Sequence, residues 1–154
     1  MTEVVDFMPH PQVMLVCTAN VCRSPMALAL WRAAARRQCR TVPAISAGLD
    51  AEPGRPADPA CVGLLAERGL DLSEHRAQRF RVDLAADCEL ILVMEPGHAR
   101  RIQASAPELA GRVQLLGRWG AGPIADPYRG QRAEYEECFD LLDHSVRAWL
   151  NRLP

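Results

Sequence analysis

Apolar residues follow two rhythms along this chain. Val13 to Cys17 (VMLVC) is a short continuous apolar run, the pattern of a strand covered on both faces, and Glu89 to Met94 (ELILVM) repeats it. Between them Met26, Leu30 and Ala33 or Ala34 recur at helical spacing in PMALALWRAAARRQ, which predicts a helix from Pro25 to about Gln38 with arginines at its carboxyl end. Thr41 to Ser46 reads as a second strand, and Pro43 places it at a sheet edge. DAEPGRPADP is loop, Ala60 to Arg68 a helix closed by Gly69, and DLSEHRAQRF a turn leading to another helical start. EPGHARRIQASAP predicts a short helix and RVQLLG a fourth strand, followed by a loop from Trp119 to Tyr128. A last amphipathic helix from Arg132 to Leu150 aligns Tyr135, Phe139, Leu142, Val146, Trp149 and Leu150 near one stripe. Trp119 and Trp149 are both expected in the core. Strands alternating with helices predict an α/β fold: a four-stranded parallel sheet with helices on both faces, three layers in all.

Composition narrows the function classes. The length of 154 residues suits one domain, read as 11–154 with an extension at 1–10. A net charge of -1 gives no bulk attraction to nucleic acid or to anionic membrane, so any anion must be bound locally. No apolar run approaches the ~20 residues of a membrane span, and MTEVVDFMPHP lacks the basic flank of a signal peptide; a cytoplasmic location is expected. The six cysteines (17, 22, 39, 61, 88 and 138) are irregularly spaced and are expected as free thiols.

The chemistry concentrates after the first strand. Ligands of open parallel sheets bind beyond the carboxyl ends of the strands, where Cys17 to Arg23 must lie. The next helix is expected to open with Ser24 as its cap and Pro25 as its first residue, and its free N–H groups make an anion site. That field favours the thiolate of Cys17, and Arg23 offers a planar fork for two oxygens of one phosphate. A thiolate beneath a phosphate so held can attack phosphorus. The pattern is C-x5-R-S.

CTANVCRSPM resembles the signature loop of the low-molecular-weight protein tyrosine phosphatases. The likeness extends through SAG (Ser46–Gly48), DLSEHRAQ (Asp71–Gln78), LILVMEPGH (Leu90–His98), LLGRW (Leu115–Trp119) and DPYRG (Asp126–Gly130). LLGRW and the residues around DPYR are most similar to the bacterial branch associated with capsule and exopolysaccharide assembly, whose substrates are autophosphorylating tyrosine kinases. The resemblance implies a phosphotyrosine protein as substrate, phosphate or vanadate as inhibitors, and no metal or other cofactor.

It further implies that Cys17 is the nucleophile, Arg23 the phosphate clamp, and Asp126 the acid of the first step and base of the second. Thr18, Ala19, Asn20, Val21, Cys22 and Ser24 would wrap the phosphate, with the Ser24 hydroxyl steadying the departing thiolate. Tyr128 and Arg129 would form the pocket rim, and Ser46 and His75 would hold Asn20, which tolerates the left-handed conformation where the loop must reverse. Cys22 is implied as a partner that joins oxidised Cys17 before damage becomes irreversible. One residue departs from the family pattern: Ala19 stands where glycine is usual. A positive φ there would cost alanine about 1–2 kcal/mol; an ordinary φ would only narrow the loop.

Two other functions compete. An arsenate reductase shares the loop but needs further redox cysteines, and Cys88 stands alone on its strand. A silent phosphotyrosine-binding module is opposed by the presence of both Cys17 and Asp126. Zinc held by Cys17 and Cys22 lacks a matching second pair of ligands.

Overall fold

The computed structural model describes residues 12–154, so the expected extension at 1–10 lies outside the described residues. Four strands, β1 (Val13–Cys17), β2 (Ala44–Gly48), β3 (Leu90–Val93) and β4 (Val113–Leu115), form one parallel sheet in the order β2-β1-β3-β4. Register is set by Val13 opposite both Ala44 and Leu90, and by Ile91 opposite Val113. Five helices accompany it: α1 (Arg23–Arg37), α2 (Pro59–Glu67), α3 (Val82–Ala86), α4 (Pro96–Ser105) and α5 (Arg132–Leu150). The sheet is buried on both faces because successive side chains of β1 point opposite ways. Val13, Leu15 and Cys17 pack with α1, α2 and α5, including Met26, Trp31, Leu65, Leu142 and Val146. Met14 and Val16 pack on the other side with Ala85 and Ile102 of α3 and α4. The expected three layers are present. No helix among the described residues is long and apolar enough to cross a membrane.

Several boundaries differ from expectation for physical reasons. β2 begins at Ala44, not Thr41, and runs on to Gly48. Pro43 cannot donate to a ladder; its carbonyl instead accepts from Gln12 and Val13, and pairing starts with the next residue. β2 is an edge strand, as its proline implied. The fourth strand is only Val113–Leu115, since Leu116 to Trp119 turns into one stretch of 3₁₀ helix. α2 is capped by Asp58, whose side chain accepts from the N–H of Ala60, and the chain turns away after it through Gly69 with φ of 78°.

The predicted stripe of α5 is buried throughout, but Trp119 is not core: it is 37% exposed and meets Trp149 edge-on at 5.5 Å. The guanidinium groups of Arg118 and Arg152 lie over its ring, so it is a partly covered surface aromatic. All six cysteines are free thiols, and only Cys39 is exposed.

The order β2-β1-β3 means that the chain leaves β1 toward one edge and later returns on its other side. This reversal opens the crevice where ligands of doubly wound sheets bind, at the carboxyl end of β1. Cys17 is the last residue of that strand.

Candidate active site

The loop from Thr18 to Cys22 leaves β1 and curls back to start α1. Most of the carbonyls along it are engaged by the rest of the protein. Those of Cys17 and Thr18 accept from the N–H groups of Leu49 and Asp50, at 3.0 and 2.8 Å, and that of Val21 accepts from Asp58 at 2.8 Å. The Asn20 carbonyl accepts from His75 Nε2 at 2.7 Å. A planar trans peptide points its N–H opposite its C=O. With the carbonyls held outward, the amides face the inside of the curl, in front of the first turn of α1, which holds no acidic residue. That is a cradle for an anion.

Asn20 makes the reversal. It has φ of 57°, a left-handed conformation that asparagine tolerates, and it is fully buried. Its Oδ1 accepts from the Gln78 N–H at 2.9 Å, which fixes the orientation of the amide. Nδ2 then donates to Ser24 Oγ at 2.8 Å and to Ser46 Oγ at 3.0 Å. Ser46 and His75 therefore both hold Asn20, one by the side chain and one by the backbone. Gln78, whose Nε2 also donates to the Ser46 carbonyl at 2.8 Å, completes the set. Ala19 is absent from the positive-φ residues, so its methyl carries no left-handed strain. The loop fits closely against β2: a side chain on Gly48 would place its Cβ 2.7 Å from the Asn20 nitrogen and the Thr18 oxygen.

Cys17 Sγ lies within this curl, 3% exposed as a residue. It accepts from the Asn20 N–H at 3.3 Å and lies 2.9 Å from Ser24 Oγ. Ser24 Oγ already accepts from Asn20, and its only other acceptor, the Ala47 carbonyl, is at 3.5 Å. The hydroxyl proton therefore goes to sulfur. Two donors on one sulfur suit an anion. This overturns one expectation: Ser24 is not the helix cap. Cys22 takes that position without a side-chain bond, and Ser24 lies one residue inside the helix with its hydroxyl turned to Cys17.

Opposite the sulfur, the Arg23 side chain is 2% exposed. Nη1 donates to the Ile124 carbonyl at 2.9 Å and pairs with Glu95. Nη2 lies 3.5 Å from Thr18 Oγ1 and 3.7 Å from Asp126 Oδ2. Buried guanidinium needs such partners. Glu95 begins α4 in a reciprocal cap with His98. The Glu95 N–H donates to His98 Nδ1 at 3.2 Å, so the ring proton is on Nε2, which donates to Thr18 Oγ1 at 2.9 Å. Burial first, and the Arg23 charge next, hold His98 below the usual histidine range, consistent with a neutral ring. Burial likewise lowers His75, whose Nε2–H is the donor to Asn20.

The pocket mouth is lined by Cys17, Ala19, Val21, Cys22, Arg23, Arg55, Asp126 and Tyr128 and encloses about 40 Å³. Asp126 Oδ1 accepts from the Tyr128 N–H at 3.0 Å, which turns the carboxylate toward the loop. Tyr128, 40% exposed, accepts from Arg55 at 3.1 Å, and that contact is the leading cause of its lowered phenol pKa. Arg129 does not line the pocket. Its backbone has φ of 63°, its guanidinium lies over the Tyr128 ring, 5.4 Å from the centroid, and its N–H donates to Tyr135.

Glu95, His98, Arg55 and Gln78 were not singled out from the sequence. Three of them fall inside quoted motifs, LILVMEPGH and DLSEHRAQ, which is the one signal that could have found them. Arg55 had none, being one arginine in a proline-rich loop.

Residues 12–154 match the model of the low molecular weight phosphotyrosine protein phosphatases. A probable low molecular weight protein-tyrosine-phosphatase, EpsP of Ralstonia nicotianae, is 42% identical over 141 residues, covering 92% of this chain and 94% of the relative. Vibrio vulnificus Wzb in complex with benzylphosphonate superposes with a TM-score of 0.85 at 31% identity, covering 94% of this chain and 99% of that one. YwlE, an arginine phosphatase, solved as a mutant with a phosphorylated active-site serine, gives 0.87 at 30% identity over 92% and 94% of the two chains. An anion cradle closed by a buried arginine at the end of β1, on a chain matched from end to end of its described residues, leaves one assignment: the protein belongs to the low molecular weight phosphotyrosine protein phosphatase family and is a phosphoric monoester hydrolase.

Proposed function

We propose that the protein hydrolyses phosphotyrosine in proteins through a cysteinyl-phosphate on Cys17. The observation that carries this reading is the pair of donors on Cys17 Sγ, opposite the Arg23 fork and the Asp126 carboxyl. The dianion sits in the amide curl with Arg23 on two of its oxygens. The thiolate attacks phosphorus in line, an S–P bond forms, and the P–O bond to the ring breaks as Asp126 gives its proton to the tyrosine oxygen. Asp126, now a carboxylate, takes a proton from water as the water oxygen attacks phosphorus. The S–P bond breaks, and Ser24 Oγ–H and the Asn20 N–H receive the thiolate. Phosphate leaves. The phosphoserine in the YwlE mutant supports a covalent route at the corresponding centre.

Selectivity follows from depth and walls. Ala19, Val21 and Tyr128 give apolar contact on the way to the sulfur, which suits a phenyl ring and leaves a shorter phosphoserine side chain far from Cys17. The cellular substrate in this reading is an autophosphorylating tyrosine kinase of exopolysaccharide or capsule assembly, acted on in the cytoplasm. The resemblance through LLGRW and DPYR supports it.

The test is phosphate release from phosphotyrosine, phosphoserine and phosphoarginine peptides by wild type and Cys17→Ser, with arsenate reduction assayed beside them. Wild type should release phosphate from the tyrosine peptide alone, be inhibited by vanadate, and lose turnover in Cys17→Ser. Hydrolysis retained by the variant removes Cys17 as nucleophile, and a preference for phosphoarginine replaces the substrate.

A further inference from the structure

Behind the phosphate cradle lies a thiol pair that the mechanism leaves unused. Cys22 caps α1 and Cys61 lies in the first turn of α2; both are buried, and the Cys61 thiol donates to Cys22 Sγ across 3.1 Å. The two segments are also tied by the bond from Asp58 N–H to the Val21 carbonyl. Asp58 brings a carboxylate within 4.8 Å of both sulfurs, which makes Cys22, Asp58 and Cys61 a set of ligating atoms. Its oxygens are already committed, Oδ1 to the Ala60 N–H at 3.0 Å and Oδ2 to the Tyr135 hydroxyl at 2.6 Å. The two sulfurs stand as a close dithiol. Cys22 also lines the pocket that holds Cys17.

We propose that Cys22 and Cys61 form a redox pair that draws the oxidising equivalent of a peroxide away from Cys17 and restores its thiolate without an external reductant. The first step rests on the reading of Cys17 as the reactive thiolate. Cys17 thiolate attacks hydrogen peroxide, taking one oxygen as sulfenic acid and releasing hydroxide. The Cys22 thiol condenses with the sulfenic acid: an S–S bond forms and water leaves. Cys61 then attacks the Cys22 sulfur, losing its proton; the bond to Cys17 breaks and its electron pair stays on Cys17. The sum is two thiols and one peroxide converted to one disulfide and two waters, with Cys17 unchanged.

The direction of the last step follows from where a thiolate is welcome. Exchange is fastest toward the better leaving sulfur. Cys17 as leaving group is received by the Asn20 N–H and the Ser24 hydroxyl. Cys22 has no such reception. Its pKa is pushed far up by its hydrogen bond with Cys61, then by burial, with the charges of Cys61, Cys138 and Asp126 adding to both. The disulfide therefore settles on Cys22 and Cys61, and the thiolate is left on Cys17, where two donors receive it.

The experiment treats wild type with one equivalent of hydrogen peroxide, removes the excess with catalase, and follows phosphatase activity without reductant. Samples are blocked with N-ethylmaleimide and mapped by mass spectrometry. Activity should fall and then return, and the linkage should pass from 17–22 to 22–61. Cys61→Ala, whose side chain does not line the pocket and meets it only behind Cys22 Sγ, should begin with kcat/KM close to that of wild type. It should then stay inactive with the 17–22 linkage until dithiothreitol is added. A wild-type end product that remains 17–22, or Cys61 still alkylatable after recovery, overturns the proposal. So does a Cys61→Ala enzyme that recovers as wild type does. The linkage map of wild type decides the matter even if the variant folds poorly. It is read by mass and not by turnover, so failure of Cys17 as nucleophile would appear separately, as hydrolysis retained in Cys17→Ser.

Discussion

Removing the Asn20 side chain should cost the fold as much as it costs the chemistry. Asn20→Ala deletes three hydrogen bonds, to Ser24, Ser46 and Gln78, from a fully buried position. At a net ~1 kcal/mol for each bond the loss is about 3 kcal/mol. The left-handed backbone at φ of 57° adds about 1 kcal/mol for alanine. A total near 4 kcal/mol is a large share of the ~5–15 kcal/mol that holds a domain of this size together. Asn20→Gly provides the internal control. It loses the same bonds and escapes the strain, but gives up more chain entropy on folding, so it should be the milder change by no more than about 1 kcal/mol. Urea unfolding followed by tryptophan fluorescence reads both, with the shift in midpoint at constant m giving the difference. Alanine within about 1 kcal/mol of wild type would show that the network carries little of the fold, and glycine worse than alanine would refute the strain argument.

Asp126→Asn should slow release from phosphotyrosine by about 10²–10⁴-fold, while an aryl phosphate with a strongly acidic phenol is much less affected; equal slowing of both would give Asp126 another role. Stability should fall as pH is lowered through the histidine range. Burial depresses His75 and His98 in the folded protein, so between those lowered values and the unfolded value of about 6.5 the unfolded chain binds more protons. Their contribution is complete above that value and is lost on the way down. Thermal melts from about pH 7.5 to about pH 5 should show Tm falling, with a flatter profile in His98→Gln; a Tm that held level or rose on acidification would contradict the assignment of neutral rings.

The elements that could be read from the sequence were those whose pattern is local. VMLVC is a buried strand by its continuous apolar character, and the stripe of α5 defines its face over 19 residues. Pro43 told the edge position of β2 but not its first residue, because the ladder starts only where an N–H is free to donate. Ser24 followed by proline looks like a cap when only propensity is weighed. The fold gives its hydroxyl to a sulfur seven residues earlier instead, a use that depends on how tightly the loop curls. Trp119 reads as core by composition, yet it ends a surface turn under two arginines. Glu95, His98 and Arg55 converge on the loop from distant segments. The Cys22–Cys61 approach spans 39 positions, and nothing in an irregular cysteine spacing announces it.

The bond from Arg23 to the Ile124 carbonyl joins residues 101 positions apart. Closing a loop of that length is among the slow parts of folding, since its entropy must be lost before the contact returns anything. The segment that carries Ile124 also carries Asp126, and β3 leads directly into Glu95, so the guanidinium gains its partners only when every strand crossing is in place. A half-folded chain, even one with β1, α1 and the curled loop formed, would hold a thiol and an unanchored arginine. Catalysis is thus withheld from every species short of that topology, and a chain emerging from the ribosome has no working centre until the segment with Ile124 and Asp126 has followed.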